Sequence, residues 1–216
     1  VLRNAFKEHK NAAELIDKVE AELETVLSYR SQSIPVIETS VGNELRHDLK
    51  QLQIYIDEFI TDPKDRIWLS QNVRLLQQYL GQGSLSWRDE CMSENLLWIK
   101  QQTESPKIIA WAHNGHIQKN KNKMGNFLVD ELGDAYVTVG FTFYDGSYTA
   151  ICPGSNQWTH KAQRAYPGTL EYLLMQLKEP IFILDLKKMK HDNSPIMEWI
   201  DNLKFRHVGA VKIDSE

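Results

Sequence analysis

Apolar residues recur at helical spacing from the start of the chain to about residue 30. Phe6, Ala12, Leu15, Val19, Leu23, Val26 and Leu27 fall on one face and charge on the other, as in a long amphipathic helix. Pro35 and Gly42, set among Ser and Thr residues, break the pattern. Leu45, Leu49, Leu52, Ile56 and Phe59 then step by four and three to about Thr61, marking a second helix. Asp62-Pro63 reads as an N-cap followed by proline at the first helical position. Leu69, Val73, Leu76 and Leu80 carry that third helix to Gly81. After a Gly81 to Ser84 turn, Trp87, Cys91, Met92, Leu96, Trp98 and Ile99 mark a fourth helix ending near Gln102.

Beyond Pro106 the pattern changes to short apolar runs alternating with helical ones. Residues 107–112 read as a strand buried on both faces, because 108–112 are five consecutive apolar residues. It ends abruptly in His113-Asn114-Gly115-His116, read as a loop because Asn-Gly favours one. A helix from Met124 to Leu132 stops at Gly133. Residues 136–143 are strongly β-forming, and Asp145-Gly146 predicts a hairpin into 147–152. A helix over 169–176, a strand over 181–186, a short helix over 195–202 and a strand over 205–213 complete the reading. The expected fold is α/β, with a helical segment of about four helices over 1–105 packed on a mixed, largely parallel β-sheet over 106–216. The two segments read as parts of one larger domain.

The chain has 216 residues, 42% apolar and 25% charged, with a formal net charge of -4. That balance suits a globular protein and gives phosphate backbones no basic surface, so nucleic acid is not an expected partner. No apolar run reaches the roughly 18 residues that suggest a membrane span. Cys91 and Cys152 stand far apart and read as free thiols. They leave the compartment open, with the cytoplasm favoured. Because Val1 is not Met, the chain reads as a trimmed piece.

The chemistry points to the end of the 107–112 run. In open α/β sheets ligands bind outside the carboxyl ends of strands, and there His113 and His116 face a common crevice as candidates for acid/base work, carbonyl polarisation or metal ligation. Arg88, near the start of the fourth helix, does not complement the helix dipole as Asp89 and Glu90 do, and is a candidate for holding an oxyanion or carboxylate. Lys119, Lys121 and Lys123 read as an exposed loop, and His160 as a surface histidine. Trp87, Trp98, Trp111, Cys91 and Met92 read as core. No G-x-S-x-G, H-E-x-x-H, Walker A or G-x-G-x-x-G motif occurs, which weakens covalent serine catalysis, a zincin site and nucleotide binding.

These residues form an ordered set. Trp-Ala-His-Asn-Gly-His (111–116) is preceded by Arg88-Asp89-x-x-Met92-x-x-Asn95. Met124-Gly125, Val139-Gly140-Phe-x-Phe-x-x-Gly146, Phe182-Ile-Leu-Asp-Leu186 and Arg206-His-Val-Gly-Ala210 follow it. From about residue 87 onward the set resembles the erythromycin esterase family. The resemblance implies a hydrolase that opens esters, in the best-known members macrolide lactones, by activated water without a covalent intermediate. It implies that His113 and His116 are catalytic, that Arg88 and Asn114 bind a small-molecule ester or lactone, and that no cofactor is needed. The family's water-activating base lies in a G-E-x-x-H-G motif that does not occur in this chain, so a catalytically incomplete fragment is expected. Two alternatives stand beside this reading: a metal-assisted hydrolase that uses the two histidines, and a non-catalytic ligand-binding module.

Overall fold

Helix α1 (Leu2–Ala5) and helix α2 (Lys10–Ser31) replace the one long helix expected at the amino end. The computed structural model describes residues 2–31, 39–81, 84–105, 107–152, 158–192, 197, 200, 202–206 and 208. The helix breaks where the Phe6 side chain is buried and His9 donates its N–H to the Phe6 carbonyl at 2.9 Å. The His9 ring also stacks on Phe59, with ring centres 4.3 Å apart.

The chain divides into two units, Val1–Ile109 and Ala110–Glu216. The first holds α1 and α2 with α3 (Ser40–Phe59), α4 (Pro63–Leu80) and α5 (Leu85–Gln102). Each of the last three helices starts where its sequence supplies an oxygen for an orphan backbone N–H. Thr39 accepts from Gly42 N at 3.1 Å, Asp62 from Asp65 N at 2.9 Å, and Ser84 from Trp87 N at 3.1 Å. The core is the helical stripe read from the sequence: Phe6, Ala12, Val19 and Val26 meet Leu45, Leu49, Leu52 and Ile56, then Leu69, Val73 and Leu80. Ile16 joins it, while Leu27 faces out.

Helix α5 departs from the expected apolar seam. Among its residues Asp89, Cys91 and Ser93 are buried, while Trp87, Met92 and Trp98 are half-buried and Ile99 is exposed. Amides, an ion pair and the edge-on rings of Trp68 and Trp98 join it to α4. Gln71 Nε2 donates to Asn95 Oδ1 at 2.9 Å, Asn95 Nδ2 donates to Gln78 Oε1 at 3.0 Å, and Arg74 pairs with Glu94 at 2.7 Å. Polar side chains that satisfy one another can line part of a helix contact, which hydrophobic spacing does not report.

The second unit holds α6 (Asn114–Ile117), α7 (Met124–Leu132), α8 (Leu170–Met175), α9 (Leu186–His191) and the strands β1 (Gly146–Thr149) and β2 (Thr159–Ala162). Among the described residues, β1 and β2 form a two-stranded antiparallel sheet, with Gly146 opposite Ala162 and Thr149 opposite Thr159. The expected hairpin is therefore re-paired, because β1 turns to a downstream partner and not back to 136–143. Asp145 explains the choice: its carboxylate takes Gly146 N–H at 2.8 Å and the Arg164 guanidinium at 3.0 Å, joining the turn to the later arm.

The largely parallel sheet is not formed by 107–112, 136–143 or 181–186. These stretches run without ladder bonds, and Ile109 and Ile183 are 98% and 91% exposed. Apolar composition reports a preference for extended, covered backbone. A ladder further requires a second extended backbone at about 4.8 Å. Trp111, expected in the core, is likewise exposed and rests against Phe141, with ring centres 5.1 Å apart. The expected 195–202 helix and 205–213 strand fall largely outside the described residues. Among the described residues, an isolated parallel bridge joins Thr169 and Lys204.

Candidate functional site

The His113-Asn114-Gly115-His116 stretch, expected as a loop, is one turn of helix with His113 as its N-cap. The turn forms because the His113 imidazole supplies the cap that Asn-Gly lacks. Nδ1 accepts Gly115 N–H at 3.0 Å, and His116 N–H reaches the His113 carbonyl at 2.9 Å. The His113 and His116 rings stand edge-on, with centres 6.4 Å apart.

Hydrogen-bond roles define the state of His113. A backbone N–H can only donate, so Nδ1 presents its lone pair to Gly115. A carbonyl can only accept, and His113 Nε2 contacts the Val208 carbonyl, so Nε2 carries the hydrogen. The ring is thus neutral and aims one N–H at a carbonyl oxygen. In this arrangement neither nitrogen offers a lone pair to a metal.

Asn114 fixes the other side of the turn. Its Nδ2 donates to the Phe141 carbonyl at 2.6 Å, and its Oδ1 accepts Phe141 N–H at 3.1 Å. Behind the turn, the Tyr136 hydroxyl donates to the Ile117 carbonyl at 2.8 Å, and burial raises the Tyr136 hydroxyl above its ordinary pKa. Helix α7 packs directly on the turn's carbonyl end. A Cβ on Gly125 would lie 2.1 Å from the Ile117 oxygen and 2.5 Å from that of Gln118, which is the physical reason for glycine after Met124.

Arg88 is carried by the first unit. It lines a cavity of about 160 Å³ between α4 and α5, together with Tyr79, Trp87, Met92 and Asn95. The structure therefore brings His113, Asn114 and His116 together in one turn, with Arg88 described in the other unit. Lys119 and Lys121 are exposed as expected, and Lys119 lies 6.0 Å from the centre of the Tyr136 ring. His160 corrects its sequence reading: it is buried and donates through Nε2 to the Ala150 carbonyl at 3.1 Å.

Sequence reasoning missed Tyr136, Thr142, Glu171 and the Val208 carbonyl. Tyr136 and Thr142 sat in a run read only for its β propensity. Glu171 fell within the expected 169–176 helix, where nothing in the spacing marks it for burial. A backbone carbonyl has no sequence signal at all. Among the described residues, no three His, Cys, Asp or Glu side chains converge as a metal-binding group. None of the described helices is long and apolar enough to cross a membrane.

A family model described as erythromycin esterase matches residues 2–216. An Escherichia coli protein named "Erythromycin esterase type II" is 31% identical over 101 residues, covering 40% of this chain and 24% of that protein. A Bacillus subtilis (strain 168) protein named "Putative hydrolase YbfO" is 29% identical over 123 residues, covering 50% of this chain and 27% of that protein. The matched stretch thus spans about a quarter of each relative's length. No solved structure matches.

Proposed function

The chain belongs to the erythromycin esterase family, and from that premise we propose that it supplies the carbonyl-polarising part of an ester hydrolase site. The observation that carries this reading is the His113 Nε2–H directed at a carbonyl oxygen while Gly115 N–H holds Nδ1. An ester carbonyl that replaced the Val208 oxygen would meet the same donor. A neutral imidazole already oriented as a donor stabilises the negative charge that grows on that oxygen when water attacks.

The reaction divides into addition and departure. Water adds to the carbonyl carbon, the carbonyl oxygen gains charge opposite His113, and the ester C–O bond then breaks, leaving acid and alcohol. His116, edge-on to His113, is the group proposed to pass a proton to the departing oxygen. Asn114 holds the turn in register, and Arg88, within the first unit, is a candidate for binding a carboxylate or an oxyanion. No described residue is assigned as the base for the attacking water. The substrate proposed is a small-molecule ester, with macrocyclic lactones as one candidate class. No metal or cofactor enters the proposal, and none of it involves nucleic acid or a lipid bilayer.

Hydrolysis of an aryl ester and of a macrolide by the full-length protein tests the reading. His113→Ala and His116→Ala should each lower kcat/KM by about 10²–10⁴-fold, the usual contribution of a positioned acid/base group. Turnover unchanged by both substitutions would remove it. Tight binding of the ester with no product from the unaltered protein would favour a ligand-binding role.

A further inference from the structure

Four segments of the second unit are tied by hydrogen bonds into a closed ring that passes through the histidine turn. From Asn114 the ring runs to the Phe141 backbone. The next residue, Thr142, donates its hydroxyl to Glu171 Oε1 at 2.5 Å, and the same oxygen accepts Arg206 N–H at 2.8 Å. Two residues further on, the Val208 carbonyl meets His113 Nε2, which closes the ring. One carboxylate oxygen therefore joins the segment that fixes Asn114 to the segment that faces His113.

Glu171 is unusual for an acid in the first turn of a helix. Such residues complement the helix dipole equally well from solvent, yet Glu171 is buried. Its other oxygen, Oε2, is enclosed with no hydrogen-bond partner among the described residues. An enclosed carboxylate oxygen without a partner is destabilising, so the helix alone does not account for its placement.

The segment carrying Val208 is anchored at two earlier points. Lys204 pairs with Gly168 and Leu170 through backbone bonds of 3.2 and 2.9 Å. The Arg206 guanidinium reaches the Tyr144 and Gln163 carbonyls and lies over the Phe143 ring. Neither anchor acts on the Arg206 backbone N–H, whose bond holds the main chain itself two residues before Val208. Glu171 Oε1 does.

We propose that Glu171 is a positioning residue for the histidine turn, one that holds Thr142 and Arg206 so that Asn114 and His113 keep their orientation. The proposal rests on the reading of His113 as the carbonyl-polarising donor. Its test needs no substrate.

The experiment is nitrogen-15 NMR of the histidine rings in the 216-residue chain, comparing the unaltered protein with Glu171→Gln and Glu171→Ala. The unaltered chain should show His113 with a lone-pair-type Nδ1 and a hydrogen-bearing Nε2. Glu171→Gln keeps an oxygen in the Oε1 place and should retain that pair of signals. Glu171→Ala should lose it, the two nitrogens moving toward a common averaged position. A lower melting temperature in Glu171→Ala with the His113 pair unchanged would show a purely structural role and overturn the proposal.

Should Glu171→Ala fail to fold, Thr142→Val cuts one arm of the ring. It should expose the Phe141 amide to faster hydrogen exchange, and unchanged protection would overturn the proposal equally. If the NMR signatures behave as expected and the full-length protein hydrolyses no ester, the esterase reading falls and the positioning role stands. If hydrolysis depends on His113 and the Glu171→Ala ring signals are unaltered, the positioning role falls.

Discussion

The Asn114 side chain gives Phe141 both hydrogen bonds of a strand neighbour, accepting its N–H at 3.1 Å and donating to its carbonyl at 2.6 Å. A side chain therefore satisfies locally a backbone that was expected to be paired in a sheet, since 136–143 was read as a strand. Asn114→Asp tests the relationship, because it replaces the donor with a second oxygen facing the Phe141 carbonyl. The loss should be about 1–3 kcal/mol of unfolding free energy. It should shrink in acid, where a protonated carboxyl regains a donor. Urea denaturation at neutral and acidic pH measures both effects.

Gly125→Ala probes the contact between α7 and the histidine turn. The added Cβ would lie 2.1 Å from a backbone oxygen, which cannot rotate aside as a side chain does, so α7 must shift. A destabilisation of about 1–3 kcal/mol is expected, together with altered His116 ring resonances. A urea midpoint equal to that of the unaltered chain would contradict the close packing.

Glu22 makes the first unit sensitive to pH. Burial, and after it the neighbouring Asp48 carboxylate, raises the Glu22 carboxyl above its ordinary 4.5, while Lys18 opposes the shift. Lys18 lies 2.7 Å from Asp48 and 3.5 Å from Glu22. With a raised folded-state pKa, the folded chain binds more protons than the unfolded chain in the window that opens near 4.5 and closes above the raised value. The contribution to stability is fully present below that window and is lost as pH rises through it. Glu22→Gln should flatten this part of the stability profile and raise the melting temperature at neutral pH.

The two thiols should differ in reactivity. Cys91 is buried, and burial followed by the Glu94 carboxylate raises its pKa. Cys152 is only half-buried. Because the thiolate is the nucleophile, a maleimide or disulfide reagent should label Cys152 first and Cys91 at a rate limited by opening of the α4–α5 contact. Equal rates in the folded chain would contradict the burial of Cys91.

Much of the helical unit was legible because its determinants are local. Leu45, Leu49, Leu52 and Ile56 share a face by spacing alone, and Asp62-Pro63 starts a helix with groups three residues apart. The polar seam of α5 was not legible, since hydropathy does not distinguish an amide facing Gln78 from one facing water. At the site, His113, Asn114 and His116 stood out by residue type and by their place at the end of an apolar run. Glu171 did not, because burial of a helix-start acid depends on what lies opposite.

Spacing and residue type were enough for the helical stripes, the Asp62 cap and the three polar residues of the turn. The pairing of β1 with β2, the single Glu171 oxygen that joins Thr142 to Arg206, and the meeting of His113 with a carbonyl 95 residues away came from the folded chain. The division is physical. Periodicity and capping act within about one helical turn, whereas a hydrogen bond between distant segments depends on where the whole chain carries each backbone group.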